Sequence, residues 1–162
     1  MHARSVLLAT VAFALASSGC SAPAIGQNLG SIGYVRDKSP TSAPVTWVHA
    51  GSDIEPLISL VAGLGDDALT QRLRGVDRAS QVVVTLYYDA CAKSEPSLVL
   101  NGSTMTVAYG ATQNRNCVRA VDTLVSFAVP RDRLPDPTTL RVCERSITIG
   151  RDGVGGEPIG LC

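Results

Sequence analysis

Asn101-Gly102 lies between two short apolar runs, and a chain built that way is committed to antiparallel strand pairing at that point. Leu98, Val99 and Leu100 precede the pair; after it Met105, Val107 and Tyr109 alternate with Thr104, Thr106 and Ala108. Asn-Gly tolerates the positive backbone angles of a tight hairpin loop, so the pattern predicts a β-hairpin. Asn101-Gly102-Ser103 also fits a glycosylation acceptor, but the turn already accounts for Asn101 and Gly102.

The hairpin has β neighbours on both sides. Val82, Val83, Val84, Leu86, Tyr87 and Tyr88 form a β-branched and aromatic run. It is too continuous for an edge strand and predicts a central one. Further strands are expected over residues 123–129, 140–142 and 146–149, separated by Pro130, Pro135 and Pro137 around a charged Arg131-Asp132-Arg133 loop. A short strand is expected over 45–48, and a thin edge strand over 32–36.

Helical spacing appears only ahead of the central run. Ile54, Leu57, Ile58, Val61 and Leu64 recur at three and four residues. Ser52 stands three residues before Glu55, the spacing of a capping box, Pro56 falls in the first turn, and Gly63 and Gly65 supply a stop. This predicts a helix over about 53–63. A second short helix over 66–74 would carry Asp66 and Asp67 at its start and Arg72 and Arg74 at its end, matching the helix dipole. These elements give a mainly β (α+β) fold class: a small antiparallel β-sandwich or half-open barrel, with one or two short helices near the N-terminal end of the domain, covering an end.

The expected domain covers residues 44–162. Residues 21–43 are rich in Gly, Ser and Pro with little periodicity, and read as a flexible tether. Ahead of them, residues 1–4 are short and basic, and residues 6–16 are apolar but too short to span a bilayer, which is a signal-peptide pattern. Ala14-Leu15-Ala16 offers a cleavage site for simple secretion. Leu15-Ala16-Ser17-Ser18-Gly19-Cys20 offers another, and in it the chain resembles the lipobox class of bacterial lipoproteins. The resemblance implies removal of residues 1–19, fatty acylation of Cys20 through a diacylglycerol thioether, and attachment to the extracytoplasmic side of the cell membrane. The motif departs from the usual pattern at Ser17, where leucine or a similar residue is common.

Cysteine counting agrees with that assignment. Five cysteines, Cys20, Cys91, Cys117, Cys143 and Cys162, are an odd number for an exported chain in an oxidising compartment. With Cys20 carrying lipid, four remain. They allow three pairings; the shortest loops join Cys91 to Cys117 and Cys143 to Cys162, each worth about 3–4 kcal/mol in the chain-entropy model. A metal site is not indicated, because none of the four forms a Cys-x-x-Cys pair and His49 is the only histidine beyond the signal segment.

A second resemblance is to uncharacterised exported proteins of actinobacteria. It is carried by Val76-Asp77, the run 81–86, Cys91, Cys117, Phe127-Ala128-Val129-Pro130 and Leu134-Pro135, and it implies export without implying an activity. Arginine supplies all basic groups except Lys38 and Lys93, a bias that accompanies GC-rich bacterial genomes.

Chemistry-bearing motifs are sparse. The 14 basic and 14 acidic side chains cancel, which argues against nucleic acid as a partner and against polybasic membrane attachment. No serine lies in a Gly-x-Ser-x-Gly elbow, and His49 is the single candidate base for a serine nucleophile. Gly153-Val154-Gly155-Gly156 lacks the lysine and helix of a phosphate loop. No cofactor and no catalytic residue is assigned. Asp89 with Glu95, or Asp66 with Asp67, are the acidic pairs on which an envelope hydrolase or carbohydrate-active enzyme would have to rest. The remaining candidate is an interaction face built from Trp47, Tyr87, Tyr88 and Tyr109 with Arg115 and Arg119, residue types enriched in protein contacts. The competing expectation is that Trp47 and one tyrosine of the adjacent pair fill the core. The sequence therefore favours a lipid-anchored binding or interaction module, with an envelope protein as its expected partner.

Overall fold

The computed structural model describes residues 22–34, 45–50, 54–90, 94–110, 122–142, 145–150, 153–154 and 159–160. Among the described residues, ten strands and two α-helices are arranged in three layers. Strands β1 (Gln27–Tyr34), β2 (Val45–Ala50), β3 (Gln81–Asp89), β6 (Asp122–Pro130) and β10 (Ile159–Gly160) form an antiparallel sheet in the order β1-β6-β3-β2-β10. A second sheet holds β4 (Pro96–Asn101), β5 (Thr104–Tyr109), β7 (Thr138–Val142), β8 (Arg145–Gly150) and β9 (Gly153–Val154) in the order β4-β5-β7-β8-β9, with β5 and β7 parallel. The helices α1 (Glu55–Gly63) and α2 (Asp67–Arg74) lie on the outer face of the first sheet. The molecule is thus mainly β, an α+β sandwich without a closed barrel. The helices cover a face of the sheet, not an end as the sequence suggested.

Strand β3 explains this layering. Alternate side chains of a strand point to opposite faces, and both faces of β3 are buried. Val82, Val84, Leu86 and Tyr88 pack with Val125, Phe127 and Val129 of β6 against Leu98, Met105, Leu140, Ile147 and Ile149 of the second sheet. On the other face Val83 and Ala128 pack beneath Leu57, Ile58 and Val61 of α1 and Leu69 and Leu73 of α2. A strand covered on both sides has no need of polar alternation, hence the nearly continuous apolar run, interrupted only by Thr85. In the second sheet Arg141, Ser146 and Thr148 are exposed between the buried Leu140, Ile147 and Ile149, so its outer face meets solvent.

The hairpin forms as expected, with its loop one residue later. Asn101 pairs with Thr104, leaving Gly102 and Ser103 as the loop, and Gly102 has φ +58° at the first central position, where both primed turns need a positive angle. Helix α2 begins at Asp66, whose Oδ1 accepts from the Leu69 N–H at 2.8 Å. Helix α1 has Ile54 as its N-cap with no side-chain cap; Ser52, the expected partner in a capping box, lies outside the described residues. Gly65, at φ +84°, closes α1 as anticipated.

The tether expectation needs correction over residues 22–34. Ala24 bridges to Val99 of β4, the Ile25 N–H donates to the Leu98 carbonyl at 2.8 Å, and the Ile25 side chain is buried between the sheets. The chain then crosses through Gly26 and pairs along β6 as β1. Folding thus starts well before residue 44, and the N-terminal segment stitches an edge of one sheet to an edge of the other. Its first strand also begins five residues earlier than the 32–36 segment. A bulge between Asn28 and Gly30 leaves Leu29 out of the ladder register, and Arg72 Nη1 of α2 donates to the Leu29 carbonyl at 2.7 Å. Irregular strand and helix are fastened together there.

Candidate functional site

The elements bring several chemistry-bearing residues to one end of the sandwich. Strand β3 runs out through Tyr88, β4 begins at Pro96 directly after Ser94 and Glu95, and β5 ends at Tyr109 and Gly110. The Tyr88 and Tyr109 rings meet with centroids 6.2 Å apart and planes tilted by 48°, within the range of favourable aromatic pairs. Tyr88 is only 6 % exposed and Tyr109 is half-buried.

Burial sets the ionisation of both phenols. Desolvation raises the Tyr88 pKa, with the nearby Glu95 carboxylate adding to it; desolvation likewise raises that of Tyr109, with Tyr88 as the second cause. Phenols are neutral at physiological pH at their ordinary pKa of about 10, and burial extends that neutral range upward for both. Beside them Ser94 Oγ is buried without a hydrogen-bond partner among the described residues. A Cβ placed on Gly110 would lie 2.9 Å from that oxygen, so Gly110 gives the serine room.

Of the candidate interaction face, the fold unites Tyr88 with Tyr109 and separates Tyr87. Adjacent residues on a strand face opposite ways, and Tyr87, 7 % exposed, is buried on the other side of β3 from the inter-sheet core. A single exposed surface holding both adjacent tyrosines is therefore corrected to a pair of buried Tyr88 and half-buried Tyr109 at one end and a separate buried Tyr87. The expectation that only one of the two would enter the core is corrected too, because β3 is covered on both faces. Trp47 and His49 stand opposite Thr85 and Val83 in the β2–β3 register; their side chains lie outside the described residues. Arg115 and Arg119 also lie outside them. The segment that carries them joins Tyr109 to Asp122, and Asp122 pairs with Asp89, next to Tyr88, so both attachment points of the segment belong to the tyrosine end.

No family model matches the chain, and no curated protein or solved structure matches it either. What this end can do follows from its own side chains.

A buried and a half-buried phenol and one buried hydroxyl cluster there beside the exposed Glu95. Of the acidic pairs, Asp66 serves as the α2 cap and Asp67 lies in the first turn of that helix. Glu95 is exposed, and the Asp89 side chain lies outside the described residues. Among the described residues no group of three or more His, Cys, Asp or Glu could hold a metal ion. Cys20, Cys91, Cys117, Cys143 and Cys162 all lie outside the described residues. Ser94 and Gly110 were not legible as site residues, since a lone serine before Glu-Pro and a glycine after a strand read as ordinary turn chemistry.

Proposed function

We propose that the chain is a lipid-anchored extracytoplasmic binding or interaction module that works by contact, with an envelope protein as its partner. The observation that carries the reading is Leu15-Ala16-Ser17-Ser18-Gly19-Cys20 at the close of an apolar run too short to span a bilayer. Small residues ahead of Cys20 suit a peptidase groove, and the thiol is the nucleophile there that can take a diacylglycerol thioether. Two acyl chains give stable membrane attachment where one gives marginal binding. Lipid on Cys20 also leaves an even set of cysteines for disulfides in an oxidising compartment, with Cys91–Cys117 and Cys143–Cys162 the proposed pairs. The Tyr88–Tyr109 end supplies the contact chemistry, because neutral phenols and a partly buried aromatic pair bind by packing and hydrogen bonds.

The anchor is tested by metabolic labelling with a fatty acid followed by membrane fractionation. The native chain should carry label and stay with membranes, and Cys20→Ala should lose both; unchanged retention of the variant would sink the proposal. For the binding role, crosslinking in intact cells should capture a discrete envelope protein with the native chain, and should lose it when Tyr109 is replaced by Ala in a chain that still folds.

A further inference from the structure

The way the chain joins the fold bears on how an anchored domain would stand. This inference rests on the lipid-anchor reading and adds an orientation to it. Ala24 is fixed to Val99 by a bridge, the Ile25 N–H to the Leu98 carbonyl at 2.8 Å, and Ile25 itself is buried. The next residue allows little play. Gly26 has φ +87°, and a Cβ there would stand 2.9 Å from Val129 Cγ2 and 3.2 Å from the Ala128 carbonyl oxygen. Three residues lie between Cys20 and Ala24, four steps of the chain with a reach of at most about 14 Å. That is shorter than the nine-residue β3 of the domain itself, about 30 Å long.

Direction follows from strand polarity. The bridge is antiparallel, so read backward the chain leaves Ala24 in the direction in which β4 runs, toward Asn101 and the Gly102–Ser103 loop. Other elements mark the same end. Thr104 pairs with Thr139, the Thr139 N–H donates to the Ser103 carbonyl at 2.8 Å, and Pro130, opposite Gln81, leads into the 3₁₀ turn Arg131–Arg133 that precedes β7. Tyr88, Ser94 and Tyr109 lie at the other end, a strand length away.

We infer that the sandwich rests directly on the membrane surface by the end holding the Gly102–Ser103 loop and residues 131–137, and that it holds the Tyr88–Tyr109 end outward. The near end is suited to a headgroup layer: Gly102, Ser103, Asp132, Arg133 and Asp136 are exposed there, polar and of both signs. Nothing in that set inserts into hydrocarbon, so the lipid holds the domain and the end lies on the headgroups. The outward end is then the part of the molecule that an envelope partner meets first.

The test uses the full lipidated chain in vesicles of phosphatidylethanolamine and phosphatidylglycerol containing a headgroup-nitroxide lipid. A fluorescent non-natural amino acid is placed either at Ser103 or at Glu95, both exposed, which leaves the cysteines untouched. Quenching at Ser103 should exceed that at Glu95 by at least about threefold, because about 20 Å of strand separates the two ends. Inserting a twenty-residue Gly/Ser linker between Ser21 and Ala22, with a root-mean-square span of about 25 Å, should erase the difference. Equal quenching at the two positions with native spacing, or stronger quenching at Glu95, would overturn the inference while leaving the anchor standing. A chain that takes no fatty-acid label and does not join the vesicles would overturn the anchor reading and the orientation with it.

Discussion

Beneath the helices, where apolar packing would be expected, two hydroxyls meet. Thr85 Oγ1 and Ser126 Oγ lie 3.0 Å apart on paired positions of β3 and β6, and neither side chain is exposed. Removing one hydroxyl leaves the other buried and unpaired, at a cost of about 1–3 kcal/mol, whereas removing both avoids that penalty. Thr85→Val and Ser126→Ala should each lower the urea midpoint, and the double variant should lose less than the two single losses added. Strict additivity in urea melts would mean that the pair is not coupled. The tyrosines make a second prediction at this scale. The folded-state pKa of Tyr88 and Tyr109 is raised, by burial first. Above the ordinary phenol value of about 10 the unfolded chain therefore loses protons that the folded chain keeps, and stability falls as pH rises through that range. Absorbance near 295 nm should show two tyrosines ionising late, together with loss of the fold, and Tyr109→Phe should remove one of the late steps. The neighbouring positions 87 and 88 could not be assigned from the sequence because a nearly continuous apolar strand hides which face is which. Only the burial of both faces of β3 places both tyrosines inside.

Elements with a strong internal period were legible, and those held by their neighbours were not. Helix α2, strand β3 and the β4–β5 hairpin announce themselves through a cap, an apolar run and an Asn-Gly turn, each a local signal. Strand β1 carries no such signal: Gln27–Tyr34 holds two glycines, a serine and an asparagine among eight residues, and its order comes from the β6 ladder and from Arg72. For α2, Asp66→Ala removes the acceptor for the Leu69 N–H and should cost about 1 kcal/mol, visible as a lower midpoint with an unchanged denaturant slope. Arg72→Met keeps most of the aliphatic stem but leaves the bulged Leu29 carbonyl without its charged donor. A loss of about 1.5–3 kcal/mol is expected for a hydrogen bond to a charged group, with faster hydrogen exchange confined to β1. If exchange rises equally in β4 and β5, the contact is not a local latch. The tyrosine end was half legible for the same reason: Tyr88 and Tyr109 stand out as aromatic residues on strands, while Ser94 and Gly110 acquire meaning only from the packing of three strand ends.

At the scale of the whole molecule, the segment that looks most like a linker holds the two sheets together. Ile25 donates its N–H to the second sheet, sends its side chain into the core between the sheets, and is followed two residues later by the first strand of the other sheet. A tether would tolerate any small residue at this position. A seam would not: truncating a buried isoleucine opens a cavity and typically costs about 2–5 kcal/mol. The backbone hydrogen bond to Leu98 survives the substitution, so the loss would come from packing alone. Ile25→Ala should therefore lower the urea midpoint of the entire sandwich in a single transition, with no change in slope, because both sheets bury their inner faces against the same core. Gly26→Ala should act at the same place by a different route, through the positive φ and the close approach to Val129 and Ala128. An Ile25→Ala chain that melts at the native midpoint would return residues 22–26 to the status of a linker. That result would also remove the short, fixed connection on which the proposed orientation rests, so a quenching difference between Ser103 and Glu95 would then need another cause.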